Sequence, residues 1–143
     1  MDKKQFVTFR IDGHLIGINI RNVREINRNM DLSPIPLAPD YIRGLINLRG
    51  QIVTVFDLGK RLGFDNRTIT PATNNIILKE DPVGLLVDSI GDVVQATKDT
   101  IVLPPASVGQ IEEEFIEGVV KLEKELLVIL SSQKILTHKI ENI

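Results

Sequence analysis

The chain has 143 residues, 43% of them apolar, no Cys, two His and a formal net charge of −2. A chain this long can bury roughly two-thirds of its unfolded surface, enough for one domain or two very small ones. The composition excludes disulfides, thiolate metal sites and thiol nucleophiles, and argues against a nucleic-acid partner, which calls for a basic excess. No run approaches the ~20 apolar residues of a membrane span. Met1-Asp2-Lys3-Lys4 leads into a strand pattern rather than an apolar signal core. The expected location is therefore cytoplasmic, without direct membrane insertion.

Residues 5–11 alternate, with Val7, Phe9 and Ile11 on the cleaner apolar face, which predicts a strand. Asp12-Gly13 predicts a hairpin turn and residues 15–20 a returning strand. Residues 21–26 fit either a helical turn or an irregular connection. Residues 27–40, with Asn27, Asn29, Asp31, Ser33 and prolines at 34, 36 and 39, read as loop. Residues 41–58 then read as strand, turn, strand. Leu45 to Leu48 is apolar, Arg49-Gly50 supplies the reversal, and residues 52–56 are β-branched and aromatic. Asp57 is placed to cap a short helix with Leu58 and Leu62 on one face and Gly63 at its end. Residues 64–73 are polar and read as a joint. Strands follow at 76–78 and 83–87, then Leu103-Pro104-Pro105-Ala106, an acidic Glu112-Glu113-Glu114, and a short amphipathic helix through Ile135, Leu136 and Ile140.

The central run occurs twice. At an offset of about 74 positions, Tyr41 faces Phe115, Ile42 faces Ile116, Gly44 faces Gly118, Leu48 faces Leu122, and residues 52–56 face 126–130. Earlier in each copy Gly17 faces Gly84 and Glu25 faces Asp92. Each half is then about five short strands, which allows a small closed barrel or a small sandwich. The expected division of the single domain 1–143 is 14–72 for the first barrel and 73–137 for the second, with strand 5–12 able to cross over. A groove is expected between the two units.

No catalytic constellation emerges. His14 and His138 are isolated and read as surface residues, and the serines lack a G-x-S-x-G elbow. No GxxxxGK[ST] loop is present. Asp57 reads as a helix cap rather than a catalytic carboxylate. Aromatics at 4%, with no Trp, are too sparse for base stacking. The expectation is a non-enzymatic binding protein without metal or cofactor. Glu25 and Arg49 are the binding candidates; their plain readings are a solvated strand end and a turn residue. In the second copy they become Asp92 and Glu123, so an opposite-charge pair is expected in the first half alone.

Phe9, Val23-Arg24-Glu25-Ile26, Ile42-Arg43-Gly44-Leu45-Ile46-Asn47-Leu48-Arg49-Gly50 with Val55-Phe56-Asp57-Leu58, Gly84-Leu85-Leu86-Val87-Asp88 with Asp92-Val93, and Phe115-Ile116-Glu117-Gly118 form a familiar series. On these residues the chain resembles the CheW family of chemotaxis coupling proteins, over about residues 5–137. The resemblance implies a mainly β fold of two SH3-like five-stranded β-barrel subdomains packed together, with short helices. It implies no catalysis. It implies an adaptor between the cytoplasmic tip of methyl-accepting chemoreceptors and the regulatory domain of a chemotaxis histidine kinase, at membrane receptor clusters. By the same resemblance, Glu25, Ile26, Gly44, Arg49, Gly84 and Ile90 line or support the receptor groove, and Val7, Ile20 and Val23 face the kinase. The chain departs from the family at Val102, Ala106 and Ser107, where a basic residue and then an acid plus an aromatic are frequent, and at Ser131, where an acid is usual. Two alternatives are a coupling or regulatory module of a non-motility chemosensory pathway and a small ligand-binding β-barrel.

Overall fold

The computed structural model describes residues 2–104 and 107–137, and of Ser107 the backbone alone. The expectations for Ala106, His138 and Ile140 lie outside the described residues. In chain order the elements are β1 (Lys3–Ile11), β2 (His14–Asn19), β3 (Val23–Asn27), β4 (Ile42–Leu48), β5 (Gln51–Asp57), α1 (Leu58–Arg61), β6 (Asn74–Leu78), β7 (Val83–Val87), β8 (Ser89–Thr97), β9 (Ser107–Val108), β10 (Ile111–Glu112), β11 (Ile116–Lys121), β12 (Leu126–Leu130) and α2 (Ser132–Leu136). The connection left open after β2 is a single 3-10 turn, Ile20–Asn22. Among the described residues no helix is long and apolar enough to cross a membrane.

Two five-stranded sheets carry the fold, ordered β3-β6-β7-β5-β4 and β11-β12-β2-β1-β8. Each is drawn closed by the segment after its edge strand. Ser33, downstream of β3, bridges Leu45 of β4, and Val102, downstream of β8, bridges Val119 of β11. The repeat is reproduced pair by pair. In β4–β5, Ile42 opposes Phe56 and Gly44 opposes Val55, with a bulge between Ile42 and Gly44. In β11–β12, Ile116 opposes Leu130 and Gly118 opposes Ile129, with the bulge between Ile116 and Gly118. The Asp57 N–H donates to the Tyr41 carbonyl as the Ser131 N–H donates to that of Phe115. Asp57 and Ser131 then cap α1 and α2, each accepting from a backbone N–H three residues on.

The division at 72/73 does not follow sheet membership. Hairpin β6–β7 belongs with β3, β4 and β5, and hairpin β1–β2 belongs with β8, β11 and β12. Each barrel therefore takes three strands from one half and a hairpin from the other. The exchange is made by two parallel pairings, β5 with β7 and β12 with β2. Hydrophobic period tells which face of a strand is buried, but not which strand lies beside it.

Three apolar clusters result. One lies within the first sheet's barrel (Ile46, Leu48, Val53, Val55, Ile77, Leu86) and one within the second (Phe6, Ala96, Val120, Leu127, Ile129). The largest joins residues of both sheets, among them Phe9, Ile11, Ile16, Ile18, Phe56, Ile76, Leu85, Val128 and Leu130. Strands that serve an inner and an outer core are apolar on both faces, which accounts for the unbroken Leu126–Leu130 run. It also corrects the reading of β1, since Phe6 is as buried as Phe9.

Gly44 has φ +142, and a Cβ there would meet the Ser33 carbonyl oxygen at 2.5 Å. The bulge and the closing segment thus require glycine there; at Gly118, where φ is not positive, the crowding comes from a side chain, a Cβ lying 2.5 Å from Ile101 Cγ2. Gly44→Ala is expected to cost about 2–4 kcal/mol in urea unfolding. Gly13→Ala, at φ +80 in open space, should cost about 1–2 kcal/mol. Equal losses would remove the steric account of Gly44.

Candidate functional site

The β4–β5 hairpin reverses in two residues, Leu48 pairing with Gln51. Both central residues have positive φ, Arg49 at 52° and Gly50 at 86°, the requirement of a turn that matches strand twist. The Asn47 side-chain oxygen accepts the Gly50 N–H at 2.8 Å. This turn aims Arg49 across the barrel seam at Glu25 of β3, and the guanidinium engages both carboxylate oxygens. Arg24 reaches Gln51 alongside. Both partners belong to one sheet, at its opposite edges, so the pair closes a seam of the first barrel and does not bridge the two barrels. Arg49 is 64% and Glu25 25% exposed at the side chain. Arg49 holds the Glu25 carboxyl below the usual carboxylate range, partly opposed by desolvation and assisted by Asn27 and Arg24.

The other residues carried over from the family resemblance fall into different settings. Ile26 is exposed on β3, beside the pair. Gly44 and Gly84 are buried and present no surface; a Cβ on Gly84 would lie 3.0 Å from Ile77 Cδ1, inside the barrel. Ile90 lies in the other sheet, opposite Phe9, half-buried against the shared core. Of the expected kinase-facing residues, Val7 is buried and Val23 packs on the shared core opposite Leu78. Ile20, in the 3-10 turn, is exposed. Val93, paired with Val7 and half-exposed, extends that surface and was not singled out from sequence.

At the places that match Glu25 and Arg49 the second copy has two acids, Asp92 and Glu123, and its ion pair is made elsewhere. Arg10 of β1 grips both oxygens of Glu125 in the β11–β12 turn, at 2.6 and 2.8 Å. The second barrel latches its turn to a different strand, with the charges reversed.

Asp57 is fully buried and committed. Its Oδ1 accepts from the Lys60 N–H, and its Oδ2 from Arg43 Nη1, Asn66 Nδ2 and the Arg67 N–H, so the carboxylate is held as a structural acceptor at the start of α1. Arg67, 7% exposed at its side chain, contacts Asp12 at 2.6 Å and Asp88 at 3.2 Å. Burial pulls the Arg67 pKa down, and the two aspartates outweigh it, so the net shift is upward. Arg61 lies against both Tyr41 and Phe115, 5.0 and 4.8 Å from their ring centres, and donates to the Ile135 and Thr137 carbonyls. These two arginines tie α1 and the following segment to elements of the other sheet and to α2.

Two intertwined barrels, a carboxylate committed to the β5–α1 junction, and a fixed charge pair facing outward define a binding module. Residues 5–139 match the CheW-like domain, and the chain belongs to that family of chemotaxis adaptor and scaffold proteins. It is 32% identical over 141 residues to the chemotaxis protein CheW of Treponema pallidum (strain Nichols), covering 94% of this chain and 83% of that protein. It is 32% identical over 135 residues to the chemotaxis protein CheW of Bacillus subtilis (strain 168), covering 93% and 86%. The crystal structure of the scaffolding protein TtCheW from Thermoanaerobacter tengcongensis superposes with a TM-score of 0.87 at 31% identity, covering 96% of this chain and 90% of that one.

Arg67→Leu leaves two carboxylates facing a buried apolar side chain. Because Asp12 and Asp88 retain some water, the expected loss is about 2–3 kcal/mol in urea unfolding, whereas Arg10→Ala should lie within experimental scatter. Glu25 has a lowered folded-state pKa, so its contribution is present above its unfolded value of about 4.3 and disappears as pH falls through the folded value. Glu25→Gln should therefore flatten the loss of thermal stability between about pH 5 and pH 3; an unchanged slope would show the pair to be unformed in solution.

Proposed function

We propose that this adaptor couples the cytoplasmic tip of methyl-accepting chemoreceptors to the regulatory domain of a chemotaxis histidine kinase, at membrane receptor clusters and without chemistry of its own. The receptor is read at the first barrel's seam by Arg49, Glu25 and Ile26. Gly44 and Gly84 support that seam from inside, and Ile90 supports the adjoining core. The kinase meets Ile20 with Val23 and the neighbourhood of Val7 behind it. The observation that carries this reading is the forked, mostly exposed Arg49 guanidinium, fixed by a two-residue turn and by Glu25. An ion pair this exposed adds little to folding. A fixed charge pattern, by contrast, discriminates strongly between partners.

Arg49→Glu should leave the melting temperature nearly unchanged and weaken binding to a receptor signalling-tip fragment at least tenfold, about 1.4 kcal/mol. Exchanging both charges, Glu25→Arg with Arg49→Glu, restores the internal attraction but not receptor binding. Normal binding by Arg49→Glu would remove the seam from the receptor interface. For the kinase, Ile20→Asp is the cleaner probe, because Val23→Asp also places a charge against the shared core. Ile20→Asp should weaken a pull-down of the kinase regulatory domain with the fold intact; undiminished capture would move the kinase surface elsewhere.

A further inference from the structure

Four asparagines gather at the first barrel's seam: Asn27 at the end of β3, Asn29 just beyond it, Asn47 on β4 and Asn75 on β6. Their bonds connect them. The Asn29 N–H donates to Asn27 Oδ1 at 3.0 Å, and Asn75 Nδ2 donates to the Asn29 carbonyl at 2.7 Å. Asn29 Nδ2 donates to the Asn47 carbonyl at 3.4 Å, and Asn47 Oδ1 accepts from Gly50 in the Arg49 turn. With the Glu25–Arg49 bond the path closes on itself, from β3 through the following segment to β4, around the turn and back to β3.

This belt is an odd choice for stability. Asn75 is fully buried beside the barrel's apolar cluster, and a Cβ on Gly84 would touch it. It stands opposite Asn27 in the β3–β6 register. Among the described residues the buried Asn75 Oδ1 has no hydrogen-bond partner, and the buried Asn27 Nδ2 has none at full hydrogen-bond geometry, though it lies near enough to Glu25 to favour the carboxylate. An apolar pair would remove those orphaned atoms but would leave the Asn29 N–H and carbonyl without the bonds that Asn27 and Asn75 supply. The polar groups have a geometric effect instead. Asn47 holds the turn that keeps Arg49 left-handed, and Asn75 anchors the segment that continues from the strand bearing Glu25.

We propose that Asn47 and Asn75 are positioning residues of the partner-binding site: through the Asn27–Asn29 segment and the Arg49-Gly50 turn they hold the Glu25–Arg49 pair in a single outward orientation. Its value for receptor recognition rests on the function proposed above; the positioning itself does not. Asn27 lies near enough to Glu25 to favour the carboxylate, consistent with the belt reaching the pair.

The test uses the full chain in three variants. Asn47→Ala removes the acceptor for Gly50, Asn47→Asp keeps it, and Asn75→Val removes the buried amide. NMR titration of the Glu25 carboxyl and hydrogen exchange at the Arg49 Nη1 and Nη2 protons report on the pair directly. With Asn47→Ala the Glu25 titration should move up toward the ordinary glutamate range and Arg49 exchange should quicken several-fold; Asn47→Asp should restore both. Asn75→Val should show the same loosening with little change in melting temperature, since it removes the unpartnered Oδ1 together with the bond from Nδ2 to the Asn29 carbonyl. If either loosening variant melts lower while Glu25 and Arg49 behave as in the parent, the asparagines are structural and the proposal is overturned. Asn47 is exposed, so that arm remains decisive if Asn75→Val fails to fold. Binding of a receptor-tip fragment is measured in parallel, with an expected loss of at least threefold. A loosened pair with full tip binding would leave the positioning role intact and count against the receptor reading of the pair.

Discussion

The parallel pairings of β5 with β7 and β12 with β2 are the constraint on which the remainder depends. Each inserts a hairpin from one half of the chain into the sheet of the other. Once that exchange is made, neither barrel has a complete set of strands from its own half, and the outer faces of both sheets meet in the largest apolar cluster. Beside that shared core a polar groove remains, lined by Leu78, Glu80 and Asp81 from the first sheet and by Glu117, Ser131 and Gln133 from the second sheet and α2. The barrels form one body in which a binding residue on either sheet is held by packing that involves both.

Charged side chains complete the attachment. Arg67 sits where the β1–β2 turn, the β7–β8 connection and the segment after α1 converge, with Asp12 and Asp88 as partners. Gly59 admits it, since a Cβ there would lie 2.5 Å from Arg67 Nε. Arg61 does the equivalent on another side by lying against the two repeat-related aromatics, Tyr41 and Phe115. Cation–π contact with both rings and bonds to the last carbonyls of α2 fix a short helix that has little stability alone.

How much of this was legible in the sequence depended on whether the information was local. The turn at Arg49-Gly50, the cap at Asp57 and the repeat register could be read because each is a matter of residue type at fixed spacing. Gly44 and Gly118 stood in matching places because the same bulge meets the same closing segment. The crossing of strand 5–12 into the second barrel was anticipated, but not that β2 goes with it or that β6–β7 joins the first sheet, since that signal lies in pairing across the chain. Arg67 was hidden in a polar stretch that resembled a joint. Glu25 and Arg49 were brought together as expected, but Arg10 and Glu125 escaped because they join strands that are not repeat-equivalent to β3 and β4. Gly44 and Gly84 lie buried in the first barrel, where the missing Cβ lets backbone and side chains approach and leaves a partner no surface to touch.

The exchanged hairpins also govern the order in which the protein can be completed as it leaves the ribosome. The first barrel needs β7 and so cannot close until residue 87 has emerged, well after β3, β4 and β5. Hairpin β1–β2 is made first of all, yet it must wait for β12, near the end of the described chain, before its second edge is covered. For most of synthesis an apolar two-stranded element is left with exposed edges, the condition that favours pairing with another chain. The arrangement that binds the two barrels into one adaptor thus sets the interval during which a nascent copy is open to a neighbour or in need of a chaperone.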